Sequence, residues 1–229
     1  HIPLKAFIHT PTSDPQQSID FYTRLGFTRL SEDPMLFSDG SMVIEVDPDR
    51  RARAGVRCHH PDPSTVIAKL GMKAHAITGG HVVSDPSGVW IYIMDGEAPK
   101  VEMAGAATSL LGNFAGLSVE STDVARSLSF WKAFGLEVTM GSAEQGWVSL
   151  GGEGWPGVSI MAPLNCPHLF FNPSLTYFNG KEGNPKVIAN VRKAGIPITE
   201  EITHFNKEGI ADNIIVRDPG GLGFFLFND

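Results

Sequence analysis

The chain has 229 residues, 42% hydrophobic and 19% charged, with a formal net charge of −7. This excludes a disordered chain and argues against a nucleic-acid partner, whose phosphates require clustered basic residues. The two cysteines, Cys58 and Cys166, lack CxxC spacing, no apolar run is long enough to span a bilayer, and no signal-peptide pattern precedes the first strand.

The first predicted strand covers Leu4 to Thr12. Asp14 and Pro15 then supply an N-cap and a first helical residue, and Gly26 ends the helix. Ile19, Tyr22 and Leu25 fall at helical spacing as its buried stripe. The turn Phe37-Ser38-Asp39-Gly40 leads into a strand over Ser41 to Val46, and Asp47 to Arg53 reads as a connector. A second helix is bracketed by Asp62, Pro63 and Gly71, and the turn Asp85-Pro86-Ser87-Gly88 precedes a strand over Val89 to Met94. After a connector from Gly96 to Leu111, a third helix starts near Thr122 or Asp123 and stops at Gly135. Asn184, Pro185 and Gly195 bracket the fourth, and Asp218-Pro219-Gly220-Gly221 introduces the last strand.

The pattern is written four times over. Ser18-Ile19-Asp20-Phe21-Tyr22 with Leu25-Gly26-Phe27 returns as Ser127-Leu128-Ser129-Phe130-Trp131 with Phe134-Gly135-Leu136. Val66-Ile67-Ala68 returns as Val187-Ile188-Ala189, so the units alternate in kind. We therefore expect an α+β fold of four βαβββ modules, near residues 4–47, 54–95, 113–163 and 173–228. These repeats, the run Met42-Val43-Ile44-Glu45-Val46 and the two Asp-Pro-x-Gly turns resemble the vicinal oxygen chelate superfamily of glyoxalases, bleomycin-resistance proteins and extradiol dioxygenases. The resemblance implies that modules pair into two half-open β cups, giving an N-terminal glyoxalase-like domain over 1–111 and a C-terminal one over 112–229.

Metal-dependent members of that superfamily hold a divalent ion with residues from the first and last strands of paired modules. Here the corresponding first-cup positions fall at Phe7, Glu45, Gly55 and Tyr92, and the second-cup positions near Phe114, Met161, Ser174 and Phe225. Glu45 alone is an ordinary ligand, whereas a catalytic metal needs about three protein donors; no metal is therefore favoured. Alternation along a strand leaves one other set, His9, Glu45 and His59, whose residue types suit iron, nickel, zinc or manganese. Each two-residue step displaces a donor by roughly 6.6 Å, which counts against it. Arg57, facing the same way as His59, either binds an anionic group or pairs with Glu45 across the cup.

The fourth module adds an aromatic and polar run from Cys166 to Gly180 and a polar loop from Thr203 to Gly209. His168, Tyr177 and His204 are its candidate pocket residues, with apolar surface from Phe114, Met161 and Phe225. Gly152-Glu153-Gly154-Trp155-Pro156-Gly157 spells GxGxxG but contains Pro and precedes a strand, so it reads as a hairpin loop. Two functions stand. The favoured one is a metal-free protein binding an aromatic or apolar small molecule in a cup. The alternative is a metal-dependent lyase, isomerase or dioxygenase acting through Glu45, with displaced histidines. A cytoplasmic location, a small-molecule ligand without nucleic-acid or membrane partners, and a homodimer by module exchange complete the expectations; residue 1 is His, so the natural start is open.

Overall fold

A computed structural model describes residues 3–229. The first module comprises β1 (Ala6–Pro11), α1 (Pro15–Arg24), β2 (Thr28–Ser31), β3 (Met35–Ser38) and β4 (Val43–Asp47). The second comprises β5 (Gly55–His60), α2 (Pro63–Leu70), β6 (His75–Ile77), β7 (Gly80–Ser84) and β8 (Trp90–Asp95). The third has β9 (Phe114–Glu120), α3 (Val124–Lys132), β10 (Glu137–Ser142), β11 (Trp147–Gly151) and β12 (Val158–Met161). The fourth has β13 (Ser174–Phe178), α4 (Gly180–Lys193), β14 (Glu200–Ile202), β15 (Asn213–Arg217) and β16 (Gly223–Phe227).

Two open eight-stranded sheets result, ordered β2-β3-β4-β1-β5-β8-β7-β6 and β10-β11-β12-β9-β13-β16-β15-β14. In each, the first strands of two modules meet antiparallel at the centre. The fold is α+β, as the repeats implied. Among the described residues no helix is long and apolar enough to cross a membrane.

Local chemistry explains the helix starts. Asp14 accepts the backbone N–H of Gln17, and Asp123 that of Arg126. Pro15 and Pro63 occupy first-turn positions where a missing N–H costs nothing. The fourth helix departs from expectation: it begins at Gly180, with Pro185 in its interior. Asn184 is buried and donates to the carbonyls of Asp212 (2.8 Å) and Leu226 (3.0 Å), so it fastens the helix to its sheet instead of capping it.

One apolar core runs through both halves, containing Tyr22, Phe37, Ile44, Ile91, Trp131, Tyr177 and Phe224 among others. Reciprocal polar contacts cross it. Tyr22 and Thr10 both donate to Asp218 Oδ2, at 2.8 and 2.7 Å, while Tyr177 donates to Asp39 Oδ2 at 2.5 Å. Trp131 stands where Tyr22 does in the repeat and Asp85 where Asp218 does; there, Trp131 Nε1 approaches the Asp85 carboxylate but makes no well-aligned hydrogen bond with it. The halves approach too closely for a side chain at Gly220, whose Cβ would lie 1.9 Å from the Pro11 carbonyl.

Candidate functional site

Because β-strand side chains alternate, Ile8 enters the helix-covered core while Phe7 and His9 turn to the other face of the first sheet. Parallel pairing places His9 beside Glu45 and Pro11 beside Asp47. Antiparallel pairing places Gly55 beside His9 and Arg57 beside Phe7. Gly55 is required by contact: its Cβ would lie 1.8 Å from the Trp90 carbonyl oxygen.

His9, Glu45 and Asp47 form the one group of three His, Cys, Asp or Glu residues, among the described residues, whose ligand atoms all lie within 4.8 Å of one another. His9 Nε2 is 2.9 Å from Asp47 Oδ2 and 3.6 Å from Glu45 Oε2. Its Nδ1 is 2.8 Å from the carbonyl oxygen of Arg53, which can only accept, so Nδ1 carries a proton. Both ring nitrogens thus face acceptors, whereas a neutral imidazole has one N–H. Nε2 and the carboxylates facing it therefore need one more proton between them, on the ring or on a carboxyl oxygen, or else a metal ion. Donor atoms on one ion with bonds of about 2.1 Å lie roughly 3.0 to 3.4 Å apart, close to both separations.

Arg57 supplies the counter-charge that the sequence suggested. Its Nε lies 3.0 Å from Glu45 Oε2, and its Nη2 3.9 Å from Asp47 Oδ2. The Nε–H is not aligned with the carboxylate and makes no hydrogen bond despite burial. Burial pushes the Glu45 carboxyl up, with Arg57 and His9 offsetting only part of that rise. At Asp47 burial also acts upward, but the hydrogen bond to His9, the Asp49 N–H and the charges of His9 and Arg57 outweigh it, holding the carboxyl below its usual range. Tyr92 lies under this group, its ring centroid 4.4 Å from that of His9, and its hydroxyl accepts the Arg53 N–H.

The structure replaces His59 with Asp47 in the candidate donor set. His59 sits four residues along β5 from Gly55, the residue opposite His9, or roughly 13 Å away along the strand. It packs edge-on to Phe7, and burial together with Arg57 pulls its imidazole pKa down. Phe7 is covered by Leu36, Val43, Val101 and Met103, so the segment read as a connector fills that side of the cup. Asp47 escaped the sequence reading because the fourth strand was ended at Val46. Carrying the alternation of Val43 and Glu45 one step further would have found it.

Among the described residues the second cup holds no comparable group of three converging donors. Ser118 and Thr176, hydrogen-bonded to each other at 2.8 Å, stand near its centre. They line a cavity of about 660 Å³ with Met161, His168, Phe170 and Phe225. His168 lies edge-on to Phe225 and Phe227, with centroids 5.0 and 5.2 Å away. Cys166 Sγ is 3.2 Å from Met161 Sδ. Three expected pocket residues are elsewhere. Tyr177 and Phe114 pack together in the helix-covered core: Tyr177 alternates there with Leu175 while Ser174 and Thr176 face the cup, and Phe114 is turned there by the extra residue in β9 at Ala115, opposite the Thr176–Tyr177 step. His204 is on an exposed loop against Phe205.

No protein-family model and no curated protein sequence matches this chain. Solved structures do. The chain is similar to a catechol 2,3-dioxygenase at 14% identity and TM-score 0.57, over 98% of this chain and 87% of that one. A variant of homoprotocatechuate 2,3-dioxygenase from Brevibacterium fuscum gives 16% and 0.58, over 100% and 72%. The 2,3-dioxygenase LapB from Pseudomonas sp. KL28 gives 11% and 0.60, over 98% and 91%.

Proposed function

We propose, from a chain that has the vicinal oxygen chelate fold of the extradiol dioxygenases, that the first cup is a metal-dependent catalytic site. His9, Glu45 and Asp47 hold a divalent ion there. The observation that carries this reading is the two-sided demand of His9: Nδ1 is committed to the Arg53 carbonyl, and Nε2 is aimed at two carboxylates. A backbone carbonyl on the far nitrogen is the partner that fixes the ring of a metal-ligating histidine. Imidazole and carboxylate donors together suit iron or manganese.

A bound ion supplies a Lewis-acid anchor for adjacent substrate oxygens. The protein's own groups do the rest. Arg53 fixes the His9 tautomer, and Tyr92 packs against the ring. Arg57, held near Glu45 without a hydrogen bond, is the group free to turn toward a substrate oxyanion. With the ion bound and His9 neutral, two carboxylates, one guanidinium and two metal charges leave the cup one positive charge in excess. An anionic substrate neutralises it.

The reaction to test first is oxygen-dependent cleavage of rings bearing adjacent hydroxyls, the chemistry in the names of the structural neighbours. Iron-loaded protein should consume oxygen with some member of a dihydroxyarene panel, and folded Glu45→Ala should not. Equal consumption by the variant would remove the first cup from the reaction.

The second cup favours a separate reading, binding of a neutral aromatic molecule. Its cavity is aromatic with placed hydroxyls, and Asp229 is the one Asp, Glu, Lys or Arg on its lining.

A further inference from the structure

We propose that the segment from Asp47 to Arg53 is an anion-recognition loop, and that its ligand is an aromatic carboxylate seated on Trp90 in the cleft beside the His9 group. The inference deepens the metal-site reading, on which its catalytic meaning rests.

The cleft occupies about 600 Å³ on the open half of the first cup, where β6, β7 and β8 are not covered by Val101 and Met103. Arg50, Arg51, Arg53 and Lys73 line it, together with His75 and Trp90, and no Asp or Glu does. In a chain of net charge −7 that concentration of cations is local to this cleft. Its apolar part comes from Trp90, Ile77, Val82 and Met72. The Arg53 guanidinium lies 5.5 Å from the Trp90 ring centroid, which marks a plane where a flat ring and a charge are received together. Guanidinium groups match carboxylates bidentately, and apolar lining with a few placed charges suits a small aromatic anion better than a free inorganic one.

The loop is ordered by its own hydrogen bonds. Asp47 Oδ1 accepts the Asp49 N–H at 2.9 Å, Asp49 Oδ1 accepts the Arg51 N–H at 2.7 Å, and the Asp49 carbonyl accepts the Ala52 N–H at 2.9 Å. Its two ends are parts of the candidate centre. It begins at Asp47, whose other carboxylate oxygen faces His9, and closes on Arg53, whose carbonyl fixes His9 and whose N–H meets the Tyr92 hydroxyl. An anion gripped by the arginines therefore bears on the segment that sets two of the three metal donors. The same anion supplies the negative charge that the loaded cup lacks.

The test is calorimetric titration of full-length protein with benzoate and phenylacetate, and with benzamide and phenylacetamide as uncharged counterparts, while metal content is measured on the same samples. We expect the carboxylates to bind and quench tryptophan fluorescence, the amides not to bind, and R50Q/R51Q to weaken binding by about tenfold or more. Trp90→Phe should remove the quenching, and Lys73→Gln gives a second charge removal outside the loop. No carboxylate binding, equal binding of the amides, or affinity untouched by both charge removals would overturn the proposal. Metal retained without carboxylate binding sinks the cleft alone; carboxylate binding without metal sinks the metal reading alone.

Discussion

His9 and Arg53 are joined by a 2.8 Å hydrogen bond from the imidazole Nδ1 to the backbone carbonyl, and that bond turns Nε2 toward Asp47 and Glu45. The ring is fully buried and Glu45 nearly so. Replacing His9 with Leu removes the group that separates two carboxylates and leaves Arg57 as their sole counter-charge. Breaking a buried charged group costs about 3–5 kcal/mol. Chemical denaturation of His9→Leu should show a loss of that order, and a change within experimental error would mean the carboxylates do not depend on His9.

Tyr177 and Tyr22 perform matching tasks beside the same Phe224 ring in the core, but their partners are not equally dependent. Tyr177 alone donates a side-chain hydrogen bond to Asp39 Oδ2, whereas Thr10 shares Asp218 Oδ2 with Tyr22. Leaving a buried acceptor unsatisfied costs about 1–3 kcal/mol. Tyr177→Phe should therefore destabilise the protein by about that amount, and Tyr22→Phe by less. The reverse order in denaturant midpoints would contradict this assignment.

Burial pushes the carboxyls of Asp39, Asp85 and Asp218 up, hydrogen bonds notwithstanding. A carboxyl whose folded pKa is above its unfolded value contributes stability that is complete below the unfolded pKa and is lost as pH rises through the folded one. Stability from these groups should fall as pH rises from about 4 and level off once they are ionised. Asp47, held below its usual range, acts the other way, and its contribution disappears on acidification. Asp218→Asn should flatten part of the fall above pH of about 4, as read from melting temperature against pH; an unchanged profile would rule Asp218 out as a source.

The module grammar was legible because its signals are local. Asp14, Asp62 and Asp123 each stand immediately before a helix, and the GxGxxG stretch is the hairpin loop between β11 and β12. The fourth helix start was not legible, because the Asn-Pro pair at 184 and 185 imitates a cap while Asn184 is engaged with β16 and with the residue before β15. The facing of Tyr177 is legible by alternation, one step from Thr176 on the cup, whereas that of Phe114 is not, because a one-residue bulge at Ala115 reverses it and leaves no mark in the residue pattern. Glu45 and His9 could be found by alternation, and the Arg57 pairing by charge. Asp47 is legible only if the strand is read past Val46, because its polar neighbours otherwise place it in the connector.

Phe225 tests the second cup. It is buried at the cup floor between Ile215 and Thr176, so Phe225→Ala should cost about 3–5 kcal/mol. On protein confirmed to be folded, binding of a neutral aromatic such as 1-naphthol should weaken. Unchanged binding would place that ligand elsewhere.

The central claim is that His9, Glu45 and Asp47 hold an ion and His59 does not. Elemental analysis after incubation with iron(II), nickel, zinc and manganese tests it directly, comparing wild type with Glu45→Ala, Asp47→Ala and His59→Ala. The account predicts near-stoichiometric metal in wild type and His59→Ala, and its loss in the other two. No metal in the wild type, or metal undiminished in Glu45→Ala and Asp47→Ala, would contradict it and leave His9, Asp47, Glu45 and Arg57 as a polar network without an ion.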